Sequence, residues 1–189
     1  TALDALRDRG AELREVAFAE PLELSRSAAL AVQLAEAASF HRPHLHARGA
    51  RYSEEFRAGL ALGQSLLATH YIDARRMMEA YRLDAERILG EVDLLLTPAC
   101  PIFAPPLGEE HITQFGEREA VGNAITRCTS LFNMTGQPAI VLPLGLGGAG
   151  LPMGLQLVGR RGGDTALLAA ACRLERWGVV GRPPPPATA

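Results

Sequence analysis

The stretch NMTGQPAIVLPLGLGGAGLPMGLQLVGR, residues 133–160, constrains the fold of this 189-residue chain more than any other. Side chains alternate between the two faces of a β-strand, so a run that stays apolar at consecutive positions requires cover above and below. Residues 139–142 (AIVL) and 153–158 (MGLQLV) are two largely apolar runs of this kind. The glycine-rich segment between them is too short for a helical crossover, which predicts that the two strands are antiparallel neighbours in one sheet. A third run, residues 92–97 (VDLLLT), carries consecutive leucines and belongs in the same environment. The other apolar positions recur mostly at helical spacing. The expected class is α/β, with part of a mixed sheet sandwiched between helical layers.

Residues 2–9 read as a helix ended by Gly10, and Leu13, Val16 and Phe18 suggest a short strand closed by Pro21. Residues 25–40 follow as a helix with Leu30, Leu34 and either Ala37 or Ala38 on its apolar face, and Pro43 is expected to forbid its continuation. A polar, basic loop over residues 41–52 should then lead to a new helix capped by the Ser53 hydroxyl, with Glu54 and Glu55 at its positive end. In residues 71–89 the positions Tyr71, Ala74, Met78, Tyr81, Ala85 and Ile88 line one face. Arg75 with Glu79 and Arg82 with Glu86 are spaced for ion pairing on the other, and Gly90 should end the helix. Residues 119–132 form a further expected helix, leading into a turn over residues 133–137. Asp164 is expected to cap a last helix through Trp177, with Leu167, Ala171 and Leu174 at core spacing. Length argues for one domain over residues 1–182, with the proline-rich residues 183–189 as an extended tail.

A formal net charge of −2 supplies no basic stripe, so neither nucleic acid nor an anionic membrane is an expected partner. No apolar run approaches the roughly 18 residues needed to span a bilayer. Cys100, Cys128 and Cys172 fit neither a disulfide framework nor a Cys-x-x-Cys metal site, which points to a reducing, cytoplasmic setting.

The 133–160 stretch, together with DLLLTPACPIFAPPLGE at residues 93–109 and RAGLALGQSLLATHYIDARR at residues 57–76, resembles the C-terminal part of amidase-signature hydrolases. That resemblance implies a single domain with a large mixed sheet, and hydrolysis of amide C–N bonds through an acyl-enzyme. In the family this chemistry uses a lysine base, a bridging serine, a serine nucleophile and a glycine-rich oxyanion loop. No cofactor is implied. It further implies substrate-pocket candidates at Thr97, Ala99, Cys100, Ile102 and Thr126, and an architectural motif at Asn133, Gly136 and Pro138. The chain contains no lysine, its 19 basic residues all being arginine, and its six serines are scattered. Arginine stays protonated and cannot serve as a general base. No catalytic residue of the family can therefore be placed in this chain, which is expected to be the C-terminal segment of an amidase and inactive alone. Its expected partners are a small amide substrate and the missing N-terminal half, or a second copy of itself through an open sheet edge. A neutral Thr126, where glutamine-using amidotransferases carry an acidic residue, favours a general amidase.

Two other readings compete. His41, His44 and His46 in FHRPHLHARG could form a zinc site if that segment is extended, although Arg42 and Arg48 oppose a cation. Alternatively the chain is a non-catalytic interaction domain. Cys100 has no histidine at motif spacing and is expected to be a buried, inert thiol.

Overall fold

The computed structural model describes residues 1–19, 22–114, 116–147 and 150–181, with His46 described by its backbone alone; the expected tail at 183–189 lies outside these residues. The elements run α1 (Ala2–Asp8), α2 (Leu22–Arg48), a 3-10 turn (Gly49–Arg51), α3 (Glu54–Ser65), α4 (Ala68–Glu91), β1 (Leu95–Pro98), β2 (His111–Gln114), β3 (Glu117–Ala120), α5 (Val121–Thr126), α6 (Ser130–Thr135), β4 (Ala139–Leu146), β5 (Pro152–Val158) and α7 (Asp164–Arg176). No helix among the described residues is long and apolar enough to cross a membrane. The chain packs as two compact units, one of Phe18–Asp84 and one of Thr1–Ala17 with Ala85–Ala189.

In the helical unit, α2 buries Ser25, Ala28, Val32 and Ala38, a stripe at spacings of three and four with one longer step. This differs from the expected face, since Leu30 is 53% exposed. Gly63 of α3 comes against Leu34 of α2 so closely that a Cβ there would lie 2.1 Å from the Leu34 carbonyl oxygen. A bare backbone at that point lets the two helices touch. The Ser53 hydroxyl accepts from the Phe56 N–H at 3.2 Å, the cap expected from the sequence. Pro43 does not end α2, which runs through it to Arg48, so the expected loop over residues 41–52 is helix and 3-10 turn for most of its length. A proline removes one intrahelical hydrogen bond at a cost of about 3 kcal/mol. Here the far end of α2 is tied down regardless. His41 Nδ1 lies 2.9 Å from the Tyr52 hydroxyl, its ring meets those of Tyr52 and Phe56 edge-on, and Arg57 Nη1 donates to the Tyr52 carbonyl at 3.0 Å. Along α4, Ala74, Met78, Tyr81, Ala85 and Ile88 are buried as their spacing predicts, and the helix continues through Gly90 to Glu91. Full burial of a side chain such as Leu60 contributes about 1.5–3 kcal/mol. On the other face, Arg82 Nε bonds Glu79 at 2.7 Å rather than following only the expected i,i+4 step.

In the second unit, β1, β5 and β4 form a sheet in that order, antiparallel throughout. The β4–β5 pairing is the one the short glycine-rich connection predicts, and β1 starts three residues later than expected. Leu155 and Leu157 of β5 join Leu142 of β4, Leu6 of α1, and Leu167, Ala171 and Leu174 of α7 in one core, with Val179 and Val180 closing it. Gln156 and Val158, on the opposite face of β5, are buried as well, so the central strand has cover on both sides. The weak strand expected near Leu13 is irregular. Asp164 sits in the first turn of α7 while Gly163 holds the cap position, so it acts through its charge at the helix's positive end rather than as a cap.

Residues 119–132 depart most from expectation. Glu117–Ala120 pairs with His111–Gln114 as a two-stranded hairpin, with Gly116 at φ 83° in the turn. Helix then forms in two short pieces, α5 and α6, separated by a turn at residues 127–129. The Glu119 carboxylate pairs with Arg127, tying β3 to that turn instead of to a helical neighbour.

Candidate functional site

The candidate pocket residues belong to two segments of the sheet-bearing unit. Thr97 is half-buried on β1, opposite Gln156 of β5, and alternation places both side chains on the sheet face away from Leu155 and Leu157. Just beyond β1, the Ala99 N–H donates to the Gly154 carbonyl at 3.0 Å, extending the ladder by one bond. Cys100 and Ile102 follow, both half-buried, and the Pro101 carbonyl between them accepts from Gln114 Nε2 at 3.0 Å. Thr126 lies exposed at the end of α5, its hydroxyl donating back to the Gly122 carbonyl at 2.8 Å.

These two segments are brought together by a residue the sequence pattern does not single out. Gln156, 2% exposed, uses Nε2 as donor to Thr97 Oγ1 and to the Cys128 carbonyl, both at 2.8 Å. Cys128 sits in the turn two residues after Thr126, and its half-buried thiol is likewise not marked by any motif. Burial pushes that thiol above its ordinary pKa, proximity to the Cys100 sulfur adds to the shift, and Arg127 partly opposes it. Cys128 is therefore a neutral thiol near pH 7. Nothing in the geometry ties Ile102 to this bridge.

The architectural motif follows directly. Gly136 ends α6 in the left-handed conformation at φ 75°, with its N–H bonded to the Phe132 carbonyl at 3.0 Å. A side chain would be strained there. Asn133 lies inside α6 rather than in a turn, its backbone N–H bonded to the Thr129 carbonyl at 3.2 Å. Pro138 immediately precedes β4, and its carbonyl accepts from Gly159 at 2.9 Å. Between them Gln137 is buried, and its amide has no hydrogen-bond partner among the described residues. Arg160 Nε donates to the Leu89 carbonyl at 2.7 Å, satisfying a carbonyl in the last turn of α4.

The histidine cluster is built differently from the zinc reading, because the extended segment it needed is helix. No group of three or more His, Cys, Asp or Glu side chains among the described residues is placed to hold a metal ion. A groove of about 340 Å³ runs between α2 and α3, lined by residues that include Gln33, Leu34, Phe56 and Leu60, and contains none of the pocket candidates.

Thr97 and Thr126 present hydroxyls, and the sequence supplies no lysine to deprotonate one. What the segments can offer is shape and hydrogen bonding on a sheet face flanked by a helical turn. The family profile described as Amidase matches residues 1–168, and the chain belongs to that family. It is 34% identical over 151 residues to an amidase of Pseudomonas putida, covering 79% of this chain and 32% of that protein. It is 31% identical over 168 residues to a fatty acid amide hydrolase of Oryza sativa subsp. indica, covering 88% of this chain and 27% of that enzyme. A crystal structure of an amidase superposes with a TM-score of 0.85 at 35% identity, over 95% of this chain and 40% of that one. The chain thus spans about a third or less of the length of these curated relatives.

Proposed function

We propose that this chain is the C-terminal segment of an amidase that hydrolyses carbon–nitrogen bonds through a Ser-Ser-Lys acyl-enzyme, with the reacting residues supplied outside it. The observation that carries this reading is the joining of β1, which bears Thr97, to the GQP-started strand β4 through β5 in one sheet, within a chain that belongs to the amidase family. The absence of lysine supports locating the base elsewhere. So does Gln137: a buried amide without partners costs about 1–3 kcal/mol, which polypeptide outside this chain could offset. Thr97, Ala99, Cys100, Ile102 and Thr126 then line the pocket, while Asn133, Gly136 and Pro138 shape the entry to β4.

In that mechanism a neutral lysine, through a bridging serine, takes the proton of the nucleophilic serine as it attacks the amide carbon. Backbone N–H groups receive the oxyanion, the amine departs with a proton, and water releases the acid. The present segment contributes binding and orientation. Its partner is the N-terminal half or, in its absence, a second copy. Thr126 leaves no fixed negative charge to hold a substrate's α-amino group, which favours simple amides over glutamine. The test is the DNA adjoining the coding segment, together with co-expression of what it encodes. A neighbouring lysine followed by a GGSSGG-like loop, with turnover of aliphatic amides above that of glutamine, is the expected result. Adjoining DNA that encodes neither would sink the reading.

A further inference from the structure

The short break between α5 and α6 leaves the Cys128 carbonyl facing the sheet, and one buried amide on the central strand satisfies it. The same Nε2 reaches Thr97 Oγ1 on β1. Its two protons are therefore divided between segments that are distant in sequence and that carry the two sets of pocket candidates. The Cys100 and Cys128 thiols also approach each other across this gap, but of the residues named in the site Gln156 is the one that hydrogen-bonds to both segments. Arg127 fastens the turn to β3 through Glu119, but among the described residues β3 pairs with β2 and not with the β1-β5-β4 sheet. Gln156 itself is held by the pairing of β5 on both sides and by burial to 2%, so it is a fixed point from which the turn is suspended.

We propose that Gln156 is a positioning residue for substrate binding, which sets the spacing between the Thr97 segment and the Thr126–Cys128 turn. The inference rests on the amidase reading for its consequence, and on the hydrogen bonds alone for the tie. Removing the donor frees the turn, and Thr126 moves with it. Chemistry carried out by groups outside this chain is then affected through substrate placement rather than through the reacting atoms.

Two arms test it. In the 189-residue chain, Gln156→Met keeps the length and volume of the side chain and removes both protons. Alkylation of Cys128 by iodoacetamide, measured by peptide mass spectrometry against the exposed Cys172 of the same molecule, should accelerate about fivefold, the factor that loss of one typical net hydrogen bond gives a local opening. Gln156→Leu, which likewise carries no donor, should do the same and serves if the methionine variant does not fold. Thr97→Val cuts only the β1 side and should leave Cys128 within about a factor of two of the native rate. Native-rate labelling of Cys128 in a folded Gln156 variant, or equal acceleration by Thr97→Val, overturns the tie. In the amidase assembled with its complementary segment, Gln156→Met should raise KM several-fold and change kcat little; a loss confined to kcat overturns the positioning role. If the assembled native protein turns over no amide, the amidase reading fails while the labelling arm still decides the tie.

Discussion

The backbone of Gly63 in α3 and that of Leu34 in α2 meet without any side chain between them, and a methyl at Gly63 would sit 2.1 Å from the Leu34 carbonyl oxygen and 2.9 Å from the Ala38 methyl. The neighbour is backbone and cannot swing aside. Alanine at position 63 should favour an isolated helix by about 1 kcal/mol, yet overpacking of this kind costs about 1–3 kcal/mol or more and should win. Gly63→Ala is expected to lower the denaturation midpoint, whereas Gly59→Ala, whose Cβ would only meet Leu34 Cδ2 at 3.6 Å, should not. Equal midpoints for the two variants would contradict the close approach.

The chain alone should hydrolyse no amide. Typical enzymatic acceleration starts near 8 kcal/mol of barrier lowering, and two threonine hydroxyls with a protonated thiol nearby provide no nucleophile–base pair to supply it. Turnover of a simple amide by the purified chain, abolished by Cys100→Ser, would show that the site has been misassigned.

Cys128 gives a pH dependence with a definite sign. Its folded-state pKa is raised, first by burial. The folded state therefore disfavours the thiolate, and the stability linked to the neutral thiol is fully present below the unfolded pKa, then lost as pH climbs through the folded value. Stability of the native chain should fall in the alkaline range, from about pH 9 upward, more steeply than that of Cys128→Ala. Parallel urea titrations of the two proteins at pH 7 and pH 10 check this, and identical slopes would count against a buried thiol.

How much of the fold is legible in the sequence depends on where each partner lies. The β4–β5 pair can be read because both strands and their connection fall within 28 consecutive residues whose composition leaves few alternatives. The buried face of α4 is legible from one period, and so is the Ser53 cap. Pro43 misleads because a single residue carries no sign of the contacts that His41, two positions before it in α2, makes with Tyr52 and Phe56. The β2–β3 hairpin escapes because its strands are four residues long and bury no residue, so no apolar alternation announces them. Gln156 is invisible within an apolar run for a different reason. Its partners lie 59 and 28 residues away, and only the folded sheet brings them to it.

The histidine cluster should prove structural. His41 already engages the Tyr52 hydroxyl through Nδ1, so Tyr52→Phe is expected to cost about 1 kcal/mol, the net value of a typical hydrogen bond. Chelator should leave the melting temperature unchanged, since structural zinc affinity would appear as folding free energy. One tightly held zinc per chain in elemental analysis would reverse the assignment.

The outer edge of β4 makes the association of this chain a question about two residues. Gly159 N–H bonds the Pro138 carbonyl toward β5, so alternation turns Ile140 and Leu142 inward and directs the N–H and C=O of Ala139 and Val141, with the Pro143 carbonyl, outward. Gly181 N–H occupies the Pro143 carbonyl at 2.8 Å, and Pro143 has no N–H to offer. What remains open among the described residues is the Ala139–Val141 end, where Val141 is 51% exposed. An open, apolar strand end of this kind templates pairing with another strand. Without a complementary segment the chain should therefore self-associate there, and light scattering should report species larger than a monomer. Val141→Pro deletes an outward N–H while leaving the β4–β5 bonds intact, so it should return the chain to a monomer with its circular dichroism retained. A native chain that is strictly monomeric, or a proline variant that associates as before, would show that this edge is not the surface used.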